Sequence, residues 1–387
     1  MNRFCSIFSQ LLQLFPKTEF SQAVRQTGAE RRSKGFSSWD QFVAMLFCQL
    51  GRAHTLREIT GGLQSCEGKL QHLGIKAPSR STLAYANEHR PWPLYEKVFL
   101  NVLEQCRSQV TIGNKFRFKN PLRSLDSSTI DLSVTLFDWA KFRRTKGAIK
   151  LHLVLDHDGY LPSFALITEG KTADVKVAHH LRFDPGTIVV YDRGYNDFEL
   201  FGKWTAQGVF FVTRMKENTL YEAVGENDPP PHSNILKDEL IELRGSHAQE
   251  KCPFPLRRIE FYDAEKKENL VFLTNQMDLS ARTIAAIYKD RWQIEIFFKA
   301  LKQNLKIKTF VGTSANAVKI QVWTALIAIL VLKYLQLLAK WKWSLSNLVA
   351  LLRMNLFTHR DLMAWLNHPF ETPPVPYEQK QLALNLG

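Results

Sequence analysis

The sequence predicts an α/β fold, with a sheet of mixed strand direction flanked by helices and a helical region in front of it. Three observations carry that expectation. Through residues 1–110, apolar side chains recur at spacings of three and four, as on amphipathic helices. From about residue 115 the period shortens to two and β-branched residues accumulate. After residue 170, helical and strand patterns alternate, which places a sheet between helices.

In order, Trp39, Phe42, Val43, Leu46, Phe47 and Leu50 mark one helix, and Leu94, Val98, Phe99, Val102 and Leu103 another. Gly61-Gly62 and Ala77-Pro78-Ser79 read as breaks between them. Ser79-Arg80-Ser81-Thr82 offers an N-cap beside a basic residue, suited either to a DNA-contacting helix or to an ordinary capped surface helix. Ile149 to Leu155 alternates as a strand, turns at Asp156-His157-Asp158-Gly159, and returns from Tyr160 to Thr168. A helix from Asp174 to Leu181, a strand from Thr187 to Tyr191, a helix from Asn196 to Gln207 and a strand from Val209 to Arg214 follow. Around the loop Asp228-Pro229-Pro230-Pro231 short polar strands are expected, and strands resume at Leu256–Tyr262 and Leu270–Thr274. From Ser280 the pattern is helical through Leu305, then again from about Ala315 to Trp341. Thr372-Pro373-Pro374-Val375-Pro376 reads as a loose tail.

Composition narrows the function classes. The chain has 387 residues, room for two or three domains, and its 45% hydrophobic and 12% aromatic content excludes global disorder. No run of 18 uncharged apolar residues occurs, so Val322–Leu332 reads as a buried helix rather than a membrane span. The N-terminus shows no signal-peptide apolar region. Five scattered cysteines form no C-x-x-C pair, which points to a reduced, cytosolic protein. The net charge is +14, and it is unevenly placed: residues 1–125 hold 18 basic and 8 acidic side chains, and residues 301–360 hold nine basic and no acidic ones. Residues 201–250 reverse the sign, with five basic and eight acidic. Separated basic segments point to a polyanion, nucleic acid before an anionic membrane surface.

Three places carry candidate chemistry. At 100° per residue, Tyr288, Arg291, Glu295, Lys299 and Lys302 share a stripe about 80° wide. That stripe is either a solvated face stitched by i,i+4 ion pairs or a metal-ligating carboxylate among phosphate-gripping cations. Asp126 lies within the strand-like Leu122–Thr129, where burial of a carboxylate is costly. Asp192 ends an apolar strand, at the edge where open α/β sheets bind ligands, or else serves as a turn or cap residue. Asp156 and Asp158 read as hairpin-turn residues, and Asp131 falls on the strand face opposite Asp126.

The chain resembles the DDE-type cut-and-paste transposases of bacterial insertion sequences, specifically the IS-four family. Tyr288-x2-Arg291-x3-Glu295-x6-Lys302 reproduces that family's Y-R-E-K signature, inside Asp290-Arg291-Trp292-Gln293-Ile294-Glu295. Asp126-Ser127-Ser128 resembles its first catalytic block and Asp192-Arg193-Gly194-Tyr195 its second. Gly147-x2-Lys150-x-His152, Asp156-x2-Gly159-x2-Pro162, Thr168-x-Gly170-x3-Asp174 and Val212-Thr213-Arg214-x-Lys216 support the match. The resemblance spans about residues 115–340 strongly and 1–75 more weakly.

It implies an RNase H-like core over 111–216 and 286–345, a mainly β insertion over 217–285, a helical DNA-binding domain over 1–110, and a helical region and tail over 346–387. It implies that Asp126, Asp192 and Glu295 are catalytic and bind two Mg²⁺ ions, with Mn²⁺ able to substitute, and that their carboxylates converge within about 8 Å. All-oxygen ligation agrees with that choice of metal. Tyr288, Arg291, Lys299 and Lys302 are then DNA contacts. The implied partners are double-stranded DNA, as terminal inverted repeats and target, and a second copy of the chain in a homodimer. No membrane is implied, and the location is bacterial cytoplasm at the nucleoid. Related enzymes hold a flipped base with an aromatic of the β insertion; residues 217–291 contain no Trp, leaving Phe254, Phe261 or Tyr262. The rival readings are a catalytically silent or repurposed DNA-binding protein, and an RNase H-like nuclease without strand transfer.

Overall fold

The structure is a computed structural model that describes residues 5–31, 33, 35–66, 73–109, 115–133, 135–143, 146–229 and 233–371. The Pro-rich segment at 372–376 lies outside them. Six helices open the chain: α1 (Ile7–Leu12), α2 (Lys17–Thr27), α3 (Ser38–Leu50), α4 (Leu56–Ser65), α5 (Arg80–His89) and α6 (Pro93–Gln109). α3 starts on a capping box between Ser37 and Asp40, and Ser79 caps α5 as its sequence suggests. Gly61-Gly62 does not break the chain but lies within α4. A methyl on Gly62 would stand 2.9 Å from the Phe47 ring, so the missing side chain lets α4 press against α3.

The sheet region follows as β1 (Leu122–Leu132), β2 (Lys141–Arg143), β3 (Lys146–Asp156), β4 (Leu161–Glu169), α7 (Asp174–His180), β5 (Ile188–Tyr191), α8 (Phe198–Ala206) and β6 (Phe210–Arg214). β3 pairs antiparallel with β1 and β4, while β5 runs parallel to both β1 and β6. This is the sheet of mixed strand direction that the sequence predicts. β7 (Tyr221–Glu226), β8 (Ile235–Leu243), α9 (Ser246–Lys251), β9 (Leu256–Asp263) and β10 (Glu268–Thr274) come next. Their strands extend the same sheet, because β10 pairs antiparallel with β6 and the order continues β10-β9-β8-β7. β6 is thereby covered instead of being left as an open edge.

The chain closes with α10 (Ala281–Asp290), α11 (Trp292–Asn304), α12 (Ala315–Leu338), α13 (Leu345–Asn355) and α14 (Leu362–Asn367). α12 is apolar and long enough to cross a bilayer, yet 83% of its most apolar window is buried inside the protein. It packs on α3, α5 and α6, and Gln321 of α12 and Gln49 of α3 both bond the Lys306 carbonyl. The N-terminal helices and α11–α14 therefore form one helical mass against one sheet face, where Ile130, Leu151, Leu153 and Leu155 point. α10 covers the neighbouring strands on Ile188, Val190, Val212 and Phe272. α7, α8 and α9 cover the opposite face, on Leu125, Val154, Val189 and Tyr191. Strands β1 and β5 are thus buried from both sides, and alternation fixes which of their side chains face α10 and α11.

Candidate active site

Asp126 shares its β1 face with Ser124, Ile130 and Leu132, toward the C-terminal helices. The neighbouring parallel strand sets its companion: Leu125 is in register with Tyr191, so Asp192 follows β5 beside Asp126, one strand spacing of about 4.8 Å away. Asp192 also caps a single 3₁₀ turn, Arg193–Tyr195, its Oδ1 accepting from Gly194 N at 3.0 Å. The loop is fixed by Asn196, which donates to the Arg214 carbonyl at 2.7 Å and accepts from Thr213 Oγ1 at 2.8 Å. Asp192 is thus a turn residue at the carboxyl end of β5, beside β1.

Glu295 comes from above the sheet. The helical run from Ser280 to Leu305 bends at Arg291, which ends α10 and begins α11. Arg291 stands between two carboxylates, its Nη2 donating to Glu295 Oε1 at 2.8 Å and its Nη1 lying 3.8 Å from Asp126 Oδ2. Its guanidinium also lies over the Tyr288 ring, 5.4 Å from the centroid. Lys302 reaches the β1 backbone and donates to the Thr129 carbonyl at 2.9 Å, tying α11 to the strand that bears Asp126. Lys299 turns elsewhere, into a cavity between α11, α12 and α13. The structure thus gathers Asp126, Asp192, Glu295, Tyr288 and Arg291, holds Lys302 beside them, and sets Lys299 apart.

The electrostatics agree with that grouping. Burial pushes the Asp126 carboxyl up to about 6; Ser127 N–H and Arg291 oppose the rise, and the charges of Glu295 and Asp192 add to it. Burial likewise raises the Tyr288 phenol. Asp192 Oδ2 and Glu295 Oε2 accept no hydrogen bond from the described residues, and Asp126 Oδ2 faces the Arg291 guanidinium at 3.8 Å. Hard oxygen donors in that number suit a divalent cation of the magnesium or manganese type. Among the described residues, no three Asp, Glu, His or Cys side chains already stand close enough together to hold one.

Behind Asp126 lies a polar network assembled from the shorter motifs. Ser127 Oγ donates to Asp174 Oδ1 at 2.7 Å, and Lys150 Nζ donates to the same oxygen at 3.0 Å. His152 Nε2 lies 2.9 Å from Thr168 Oγ1, and burial lowers its imidazole pKa to about 4, so the ring is neutral near pH 7. A second network was hidden from the sequence. Asp290, whose side chain is 1% exposed, bonds His157 Nδ1 at 2.6 Å, Tyr160 OH at 3.1 Å and the Lys115 ammonium. His157 Nε2 in turn lies 2.6 Å from Ser124 Oγ. The Ser124–His157–Asp290 order is that of a nucleophile triad, but Ser124 is fully buried, so the chain acts as a brace between β1 and the α10–α11 bend. Asp156, read as a turn residue, does accept from Asp158 N at 3.0 Å and also pairs with Arg123 and Arg107. The only sequence signal for this brace was the string Asp-His-Asp-Gly, which turn chemistry explained equally well. Of the aromatics considered for a flipped base, Phe254 and Phe261 pack against core clusters, and Tyr262 is 38% exposed.

Comparison with known proteins bears on the whole chain. Residues 117–331 match the family model described as "Transposase DDE domain", and residues 5–76 match one described as a domain of unknown function. A putative transposase of Sinorhizobium fredii is 31% identical over 77% of this chain and 82% of its own length. A probable insertion-sequence transposase of Geobacillus stearothermophilus is 29% identical over 66% of this chain and 67% of its own length. A putative insertion-sequence transposase of a Synechocystis species is 28% identical over 66% of this chain and 71% of its own length. A domain match spanning more than half of the residues, in a chain that presents carboxylates from neighbouring strands and a facing helix, places this protein in the DDE-domain family of insertion-sequence DNA transposases.

Proposed function

We propose that the protein excises an insertion sequence at its terminal inverted repeats and integrates it elsewhere by cut-and-paste transposition, with Asp126, Asp192 and Glu295 as the catalytic carboxylates. The observation that carries this reading is geometric: Asp126 and Asp192 lie on neighbouring parallel strands, and Arg291 joins Asp126 to Glu295 on the facing helix, with the Asp126 carboxyl raised chiefly by burial. Anionic groups facing one another at a sheet edge destabilise the apo protein, and a bound cation relieves that repulsion. Magnesium, or manganese in its place, is the metal this reading assigns, held by those three residues. Bound there, it would activate a water or 3′-hydroxyl and neutralise charge on the leaving oxygen. The chain supplies the rest. Arg291, kept cationic between Asp126 and Glu295, faces the scissile phosphate; Tyr288 packs beneath the guanidinium and holds its plane. Lys302 fixes α11 to β1, which sets the height of Glu295 above the two aspartates. Double-stranded DNA ends and target DNA are the partners in this reading, a homodimer bridges two ends, and the reaction takes place in the bacterial cytoplasm at the nucleoid.

Glu295→Gln tests it. The substitution keeps shape and hydrogen-bonding capacity but removes the ligating charge. End-DNA affinity in a gel-shift assay should match or exceed wild type, while cleavage with Mg²⁺ should fall at least about a thousandfold. Cleavage at the wild-type rate would make Glu295 a mere ion-pair partner of Arg291 and end the catalytic assignment.

A further inference from the structure

α11 carries a second stripe beside the one that bears Glu295, with Lys299 common to both. Trp292, Ile296, Lys299 and Gln303 fall within about 60° of one another at 100° per residue. All four are exposed, Trp292 by 55% and Ile296 by 46%. The stripe begins next to Arg291 and runs into a cavity of about 420 Å³ between α11, α12 and the start of α13. Lys333 lines the far wall and Ser346, in the first turn of α13, lines its end; among the described residues no carboxylate lines the cavity.

Lys333 is the informative residue. It sits on a helix whose other faces are core, and burial lowers the pKa of its ammonium with no neighbouring charge to offset the loss of hydration. Among the described residues, neither Lys299 nor Lys333 has a hydrogen-bond or ion-pair partner. A half-desolvated ammonium without an acid costs stability until an anion meets it. The N-terminal end of α13, capped by Ser344, adds positive potential at the same place. Two cations and a helix N-terminus at one end, with a flat indole and an aliphatic side chain at the other, match the alternating phosphates and bases of a nucleic-acid strand.

We propose that this groove seats a DNA strand running away from the Arg291–Glu295 site, with a backbone phosphate between Lys299 and Lys333 and a base against Trp292. The proposal rests on the transposase reading of that site and adds a path for the strand beyond it. The test uses the full chain and a fluorescein-labelled DNA oligonucleotide with a single-stranded end, titrated by anisotropy across a salt series. Lys299→Ala and Lys333→Met should each reduce the log–log salt slope by about 0.7–0.9 and weaken binding roughly four- to sixfold at about 150 mM salt. Ser346→Glu should weaken binding similarly, although an acid in a first helical turn favours the helix itself. Trp292→Ala should cost about tenfold in affinity with the slope unchanged. Wild-type slope and affinity in folded Lys299→Ala and Ser346→Glu would overturn the proposal, and these exposed positions decide the matter even if Lys333→Met fails to fold. Because binding is read without cleavage, a wild-type protein that bound DNA but cut no ends would count against the transposase reading and leave the groove standing.

Discussion

Asp126 shows how a site residue works against the stability of its own fold. Its carboxyl titrates near 6 in the folded chain, against about 3.9 unfolded, because burial and the Glu295 and Asp192 charges oppose ionisation. The sign follows from proton uptake. The folded state holds the proton more tightly, so this group's contribution is fully present below the unfolded pKa and is lost as pH rises through about 6. Asp126→Asn should therefore raise the urea midpoint of the metal-free protein at pH 8, by a stabilisation on the order of 1–3 kcal/mol. The gain should vanish below about pH 4, where both forms are neutral. A variant less stable than wild type at pH 8 would mean that the Arg291 contact outweighs the burial. Asp290 has the opposite balance: burial alone would raise it, but His157 and Lys115 bring its carboxyl below the usual range, so its stabilisation is lost as the pH falls.

Among elements, the contact of α8 with α9 adds to the β10–β6 pairing in joining the β7–β10 segment to the rest of the fold. A methyl on Gly202 would overlap the Lys251 carbonyl oxygen, so the two helices meet only because residue 202 has no side chain. Gly202→Ala should destabilise the protein by about 3 kcal/mol, the upper end for overpacking, read as a lower denaturation midpoint. An unchanged midpoint would show that α9 can shift without cost. The α10–α11 bend belongs to this scale too. Helical periodicity fixes the composition of the 288–302 stripe, but an ideal helix does not show that Asp290 is drawn to His157 or that the Lys299 side chain, one turn beyond Glu295, lines the cavity against α12 and α13. Gly61-Gly62 was misread for a related reason. Glycine marks either a break or a close approach, and only the position of Phe47 distinguishes them.

For the whole molecule, the helices described within the basic segments 1–125 and 301–360 pack as one mass, since α12 lies on α3, α5 and α6. DNA affinity should consequently respond to salt as a single steep function. With six or more phosphate contacts, it should fall roughly a thousandfold between about 50 and 200 mM salt. A nearly flat response would argue against duplex DNA as the partner.

Residue identity and spacing sufficed for the α/β class, for nearly every strand and helix from β3 to α12, and for the Asp126, Asp192 and Glu295 candidates, because alternation, capping and motif spacing are local properties of the chain. Local pattern carries no information on which strand neighbours which. The register Leu125–Tyr191, which sets Asp192 beside Asp126, and the pairing of β10 with β6, which joins β7–β10 to the same sheet as β1–β6, arise from long-range packing. The same holds for the Ser124–His157–Asp290 brace and for the Lys333 ammonium, which has no partner among the described residues. Each is defined by partners more than thirty residues away, or by the absence of any, and only the folded chain brings those distances to a few ångströms.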